Sequence, residues 1–137
     1  MASVIRAVEI ETSAEECWNA LADFGALHRR LASGFITDCR LVEPDVREVT
    51  FSTGAVAKEQ LVGIDKNAMR LAYTVIESPM GSAHHNASAQ VIPAGRTRCT
   101  FVWVTDVLPD ELAARTAALM DSGIQAIKQN LESSAAN

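Results

Sequence analysis

Ala57-Lys58-Glu59-Gln60-Leu61-Val62-Gly63, Met69-Arg70-Leu71-Ala72-Tyr73-Thr74-Val75, His85-Asn86-Ala87-Ser88-Ala89-Gln90-Val91 and Cys99-Thr100-Phe101-Val102-Trp103-Val104-Thr105 share one pattern: the odd-numbered residues form the more apolar face. A period of two is the mark of half-buried strands, here with odd positions facing inward and even positions outward. Glu59 and His85 break the pattern, because both stand on the inward face. A packed inner face excludes charge. Either this face is not fully packed, or the two groups serve something inside it.

Outward from these stretches the same period continues, and it predicts strands near residues 35–43, 47–52, 56–65, 69–77, 84–92 and 97–107, after an extended segment at 3–11. The connectors are short and rich in turn formers: Glu43-Pro44-Asp45, Ser52-Thr53-Gly54, Asp65-Lys66-Asn67, Ser78-Pro79-Met80-Gly81 and Pro93-Ala94-Gly95. Such links join antiparallel neighbours and leave no room for the helical crossovers of a parallel sheet. Ser13 with Glu16 three residues later has capping-box spacing and predicts a helix to about Asp23, with Trp18, Leu21 and Ala22 on its buried stripe. Gly25 interrupts it, and residues 26–32 add a short second helix before Ser33-Gly34.

Pro109 fits the first turn of a long terminal helix that carries Leu112, Thr116, Leu119, Met120, Gly123, Ile127 and Leu131 on one side. Residues 133–137 are expected to fray. That helix is the only long amphipathic element, so it must cover one face of the sheet, and the sheet should curl around it. The expectation is an α+β domain spanning 1–137. About seven curved antiparallel strands wrap a long C-terminal helix, with two short helices between strands 1 and 2. A sheet wrapped on one helix leaves a cavity where its lining mixes small and large residues. Here Ala57, Gly63, Ala87, Ala89 and Gly123 stand beside Phe51, Leu61, Tyr73, Phe101, Trp103 and Met120.

Composition narrows the partners. The 12 basic and 17 acidic residues give a net charge of −5, and no Lys/Arg run forms a phosphate-binding stripe, which argues against nucleic acid. No apolar run is long enough for a transmembrane segment and no secretory leader is evident, so a cytoplasmic protein is expected. Cys17, Cys39 and Cys99 are widely spaced and odd in number, which fits buried, reduced thiols better than a disulfide framework or a zinc site. His84 and His85 are adjacent, and on a strand adjacent rings point to opposite faces and cannot share one metal ion. With no nucleotide loop, metal cluster or nucleophile elbow, no cofactor is expected.

The chain resembles the helix-grip or START/Bet v 1-like superfamily and, within it, the polyketide cyclase/dehydrase-like proteins. The resemblance covers nearly the whole chain. It rests on Val8-Glu9-Ile10-Glu11-Thr12 leading into Ala14-Glu15-Glu16-Cys17-Trp18, on Asp23-Phe24-Gly25, Arg47-Glu48-Val49, Glu59-Gln60-Leu61 with Asp65, Leu71-Ala72-Tyr73 and Phe101-Val102-Trp103-Val104, taken in this order and spacing. It implies a cavity for a hydrophobic or amphipathic small molecule between sheet and helix. The superfamily includes lipid carriers, plant hormone receptors, aromatase/cyclases and condensing enzymes, so fold alone does not select an activity. By resemblance to the plant abscisic-acid receptors, Glu59 and His85 fall where polar ligand contacts lie, Tyr73 and Phe51 where apolar ones lie, and Gly123 on the helix. Thr37 replaces a charged residue there, and Ser52-Thr53-Gly54-Ala55-Val56 lacks the receptor gate-loop proline.

Residue by residue, the expected ligand-facing set is Thr37, Arg47, Phe51, Glu59, Leu61, Tyr73, His85, Ala87, Phe101, Trp103, Thr116, Leu119, Met120, Gly123 and Ile127. Burial disfavours an ionised carboxyl at Glu59 unless a cation offsets it, and Arg47 or His85 are the candidates for such a pair. Arg47 itself could instead hold a ligand carboxylate bidentately. His85 suits a hydrogen bond to a ligand or, because imidazole titrates near neutrality, acid/base work. Two activities fit this cavity. One is binding of an aromatic, polyketide-like or lipid-like molecule, and the other is cyclisation or dehydration with Glu59 or His85 moving the proton. A third reading is an interaction module without a ligand, such as a homodimer formed through the outward-facing Val102 and Val104.

Overall fold

The computed structural model describes residues 1–136. The chain runs β1 (Ala2–Ile10), α1 (Ala14–Ala22), a 3-10 turn (Phe24–Ala26), a π-helical turn (Leu27–Leu31), β2 (Ile36–Glu43), β3 (Val46–Phe51), β4 (Val56–Asp65), β5 (Arg70–Glu77), β6 (His84–Pro93) and β7 (Cys99–Leu108). A second 3-10 turn (Asp110–Leu112) then leads into α2 (Ala113–Ala136). The strands form one antiparallel sheet in the order β1-β7-β6-β5-β4-β3-β2. β2 to β7 thus form a meander, and β1 joins its far edge against β7. The curved sheet, the long terminal helix and the short helices between β1 and β2 make a helix-grip fold.

Local chemistry explains the element boundaries. Ser13 is extended (φ −66°, ψ 151°), and its Oγ accepts from Glu16 N at 3.1 Å, which satisfies one orphan donor of α1 and contributes about 1 kcal/mol. At Gly25 a Cβ would meet Leu41 Cγ at 3.1 Å, so the chain crosses β2 closely at the point where α1 has ended. The core joins α1 to the sheet and α2, with Ile10, Cys17, Val49, Leu71, Cys99 and Phe101 at 1% exposure or less.

Four expectations are corrected. Pro109 precedes the turn Asp110–Leu112 and α2 begins only at Ala113, so Leu112 belongs to the turn and not to the helix stripe. α2 stays helical through Ala136, where fraying from 133 was expected; position 137 lies outside the described residues. Two register shifts invert the alternation. Thr37 is the extra residue between Ile36↔Phe51 and Asp38↔Thr50, and it is exposed with its Oγ1 donating to Thr50 O at 3.3 Å. Val62 is the extra residue between Leu61↔Tyr73 and Gly63↔Ala72, which turns Gly63 to the outer face.

Candidate functional site

The inward face of β3 to β7, the π-helical turn and α2 enclose a cavity of about 90 Å³. Twelve of the fifteen residues expected to face a ligand line it: Arg47, Phe51, Glu59, Tyr73, His85, Phe101 and Trp103 from the sheet, and Thr116, Leu119, Met120, Gly123 and Ile127 from α2. Three do not. Thr37 is turned out by the β2 bulge. Leu61 and Ala87 are the register partners of Tyr73 on either side, and Tyr73, not its partners, forms that part of the wall.

Much of the remaining wall comes from places where strand alternation carries no information. Leu27, Leu31 and Ala32 reach in from the π-helical turn, Leu21 from α1, Phe35 and Ile36 from the entry to β2, and Ser78 and Met80 from the β5–β6 connection. Met80 sits in a segment that reads as a plain turn, yet it carries a large apolar side chain. Thr116 Oγ1 donates to its Sδ at 3.6 Å and ties the connection to α2. Ala57, Val75, Ala89 and Thr105 complete the odd-numbered wall.

Arg47 and Glu59 are direct cross-strand neighbours in the β3–β4 register. They are 4% and 7% exposed; Arg47 Nε donates to Glu59 Oε1 at 2.8 Å, and Nη2 makes an ion-pair contact of 2.8 Å with the same oxygen. Its Nη1 donates to Phe24 O at 3.3 Å. The guanidinium lies 4.0 Å from the Phe24 ring centroid and 5.2 Å from that of Tyr73, so aromatic faces replace water on its flat sides. The cation that offsets Glu59 is therefore Arg47, not His85. The same contacts already pair the guanidinium charge with Glu59, so Arg47 is not an unpaired cation on the wall.

Tyr73 sits on the other side of this pair. Its hydroxyl accepts from Trp103 Nε1 at 3.2 Å. Burial, followed by the nearby Glu59 charge, raises the phenol above its ordinary value, while Arg47 and the Trp103 bond act weakly the other way. The phenol stays protonated. His85 is shifted down, first by burial and then by His84, with Glu59 opposing, so the neutral imidazole is favoured. Its Nδ1 is enclosed without a hydrogen-bond partner.

Aromatic and helix packing set the cavity's shape. Phe35 and Phe51 meet edge to face at 5.5 Å between centroids. A Cβ on Gly123 would stand 2.9 Å from Trp103 Cζ3 and 3.0 Å from Phe35 Cε2, so the absent side chain lets α2 close over both rings. The three thiols are free and buried, none lines the cavity, and burial raises each above its ordinary value. Among the described residues no group of His, Cys, Asp and Glu is placed to hold a metal ion, and no helix is long and apolar enough to cross a membrane.

Comparison with solved structures returns the same architecture from several sources. XoxI from Bacillus cereus is 21% identical with a TM-score of 0.82, over 96% of each chain. A START superfamily protein from Mycobacterium smegmatis is 17% identical at 0.76, over 96% of this chain and 97% of that one. The ZhuI aromatase/cyclase from a Streptomyces species is 15% identical at 0.78, over 98% and 93%. No curated protein sequence matches significantly. The model of the family described as polyketide cyclase/dehydrase and lipid transport matches residues 1–136, and with the helix-grip architecture this makes the chain a member of that family.

Proposed function

We propose that the protein binds a small, largely apolar, ring-containing or lipid-like molecule between the sheet and α2. The observation that carries this reading is the cavity itself. Its wall is mostly apolar and aromatic, while a few polar groups, Glu59, Tyr73 and His85, converge on it. Ligand sites are built this way, with apolar burial supplying affinity and sparse polar groups supplying orientation. The family's description, which includes lipid transport, supports the same reading. At about 90 Å³ the cavity holds several waters but is smaller than the ~150 Å³ engineered cavity that admits benzene. A ring therefore enters with a side chain moving aside, and unbranched, flexible Met80 is the natural candidate.

Native mass spectrometry of the protein as purified from its own source tests the reading. Retention of a small apolar molecule is expected. Empty protein that also gains no thermal stability from any member of an aromatic and lipid-like panel overturns it.

A second reading is a cofactor-independent cyclase, aromatase or dehydratase. The aromatase/cyclase among the structural neighbours and a neutral imidazole on the cavity wall favour it. Because Arg47 occupies Glu59, proton transfer in this reading falls first to His85. His85→Ala separates the two: turnover collapses in an enzyme, whereas a carrier loses only part of its affinity.

A further inference from the structure

We propose that the cavity selects an uncharged ligand bearing a hydroxyl group and rejects the carboxylate built on the same skeleton. This rests on the cavity being the binding site, and it follows from how each polar group on the wall is already used. Among the described residues Arg47 is the only Lys or Arg lining the cavity. Its Nε donates to Glu59 Oε1, its Nη2 lies 2.8 Å from the same oxygen and its Nη1 donates to the Phe24 carbonyl, so its charge is already paired with Glu59. A ligand carboxylate would have to share that one cation with Glu59, placing two buried carboxylates against a single positive charge.

His85 is a poor substitute as the counter-cation, because burial favours its neutral form. The Arg47–Glu59 pair is neutral as a unit, so a ligand of either charge would be buried without compensation.

Beside Arg47 the wall offers an acceptor and a donor. Among the described residues no hydrogen bond reaches Glu59 Oε2, and the Tyr73 hydroxyl accepts from Trp103 but has no acceptor for its own proton. The Arg47 guanidinium neighbours both residues, bonded to Glu59 and 5.2 Å from the Tyr73 ring centroid. A ligand hydroxyl can donate to Glu59 Oε2 or accept from Tyr73, and it brings no charge. A carboxylate can only accept, and it meets Glu59 as a like charge.

Benzyl alcohol, benzoate and benzylamine form a matched set of probes at pH 7.5. Binding is followed by NMR through the Trp103 indole N–H, in the wild type and in Met80→Ala, which widens the cavity. Benzyl alcohol is expected to bind at least tenfold more tightly than benzoate, with benzylamine also weaker than the alcohol. Benzoate or benzylamine binding as tightly as the alcohol overturns the selection while leaving the cavity reading intact. If no probe binds either protein, both are overturned. Glu59→Gln supplies a further arm, because it leaves Arg47 unpaired and should invert the order so that benzoate binds best. An unchanged order in a folded Glu59→Gln protein also overturns the proposal.

Discussion

The two faces of the sheet are made by the same strands and obey opposite rules. On the outer face, polar side chains such as Lys58, Gln60, Asn86 and Gln90 meet solvent, and apolar ones such as Ile5 and Val62 are left about 60% exposed without forming a core. Single exposed apolar residues are ordinary on a protein surface. On the inner face, each polar group is either locked into a pair, as Arg47 and Glu59 are, or held neutral, as His85 and Tyr73 are. The contrast teaches that the inner face is organised around retaining polar groups at little electrostatic cost, which a plain hydrophobic core does not need.

The largest test of this contrast removes one half of the buried pair. Arg47→Met or Glu59→Leu alone should each lower stability by about 3–5 kcal/mol, because an uncompensated charge stays buried. The Arg47→Met/Glu59→Leu double variant should recover most of that loss in urea denaturation. Equal losses in the singles and the double would mean that the pair is not electrostatically isolated.

Gly123→Ala should cost less. The methyl meets Trp103 and Phe35, and overpacking costs roughly 1–3 kcal/mol, offset by the ~1 kcal/mol that Ala gains over Gly in a helix. A net loss of about 1 kcal/mol by thermal denaturation, with weaker ligand binding, is expected, whereas a gain in stability would show that α2 does not need this close approach.

The pH dependence is smaller again. His85 is shifted below its ordinary value of 6.5 in the folded protein, so the unfolded chain binds the proton more readily. Its contribution is complete above about pH 6.5 and is lost as pH falls through and below that value. His85→Leu should therefore flatten the stability profile on the acid side, measured by denaturation at several pH values. A profile unchanged by the substitution would place the titration elsewhere. At the bottom of the range, Val104→Lys on the outer face should change stability by no more than about 0.5 kcal/mol. A larger loss, with a change in oligomeric mass, would show that this face is covered by a partner.

Much of this contrast was legible in the sequence, because a period of two with Gly, Pro and Asn turns encodes both strand limits and faces. β4 was expected at 56–65 and is Val56–Asp65, and Ser13 caps α1 as its spacing with Glu16 suggests. Thr37 and Gly63 were misplaced for one reason: a bulge is a mismatch between two strands and leaves no trace in the alternation of one. The choice of Arg47 over His85 as the partner of Glu59 required register, which brings β3 and β4 opposite each other at those positions. Leu27, Leu31 and Met80 reach the cavity only through the packing of their connections on α2 and β2, and no strand or helix period marks them.

The central claim, that the inner face is the ligand-binding face, is tested most directly by intermolecular NOEs from bound benzyl alcohol. The account predicts NOEs to methyl groups of Ala89, Leu119, Met120 and Ile127 on the cavity wall. NOEs to Val62 and Val104, on the opposite face of the same strands, with none to the cavity methyls, would contradict it.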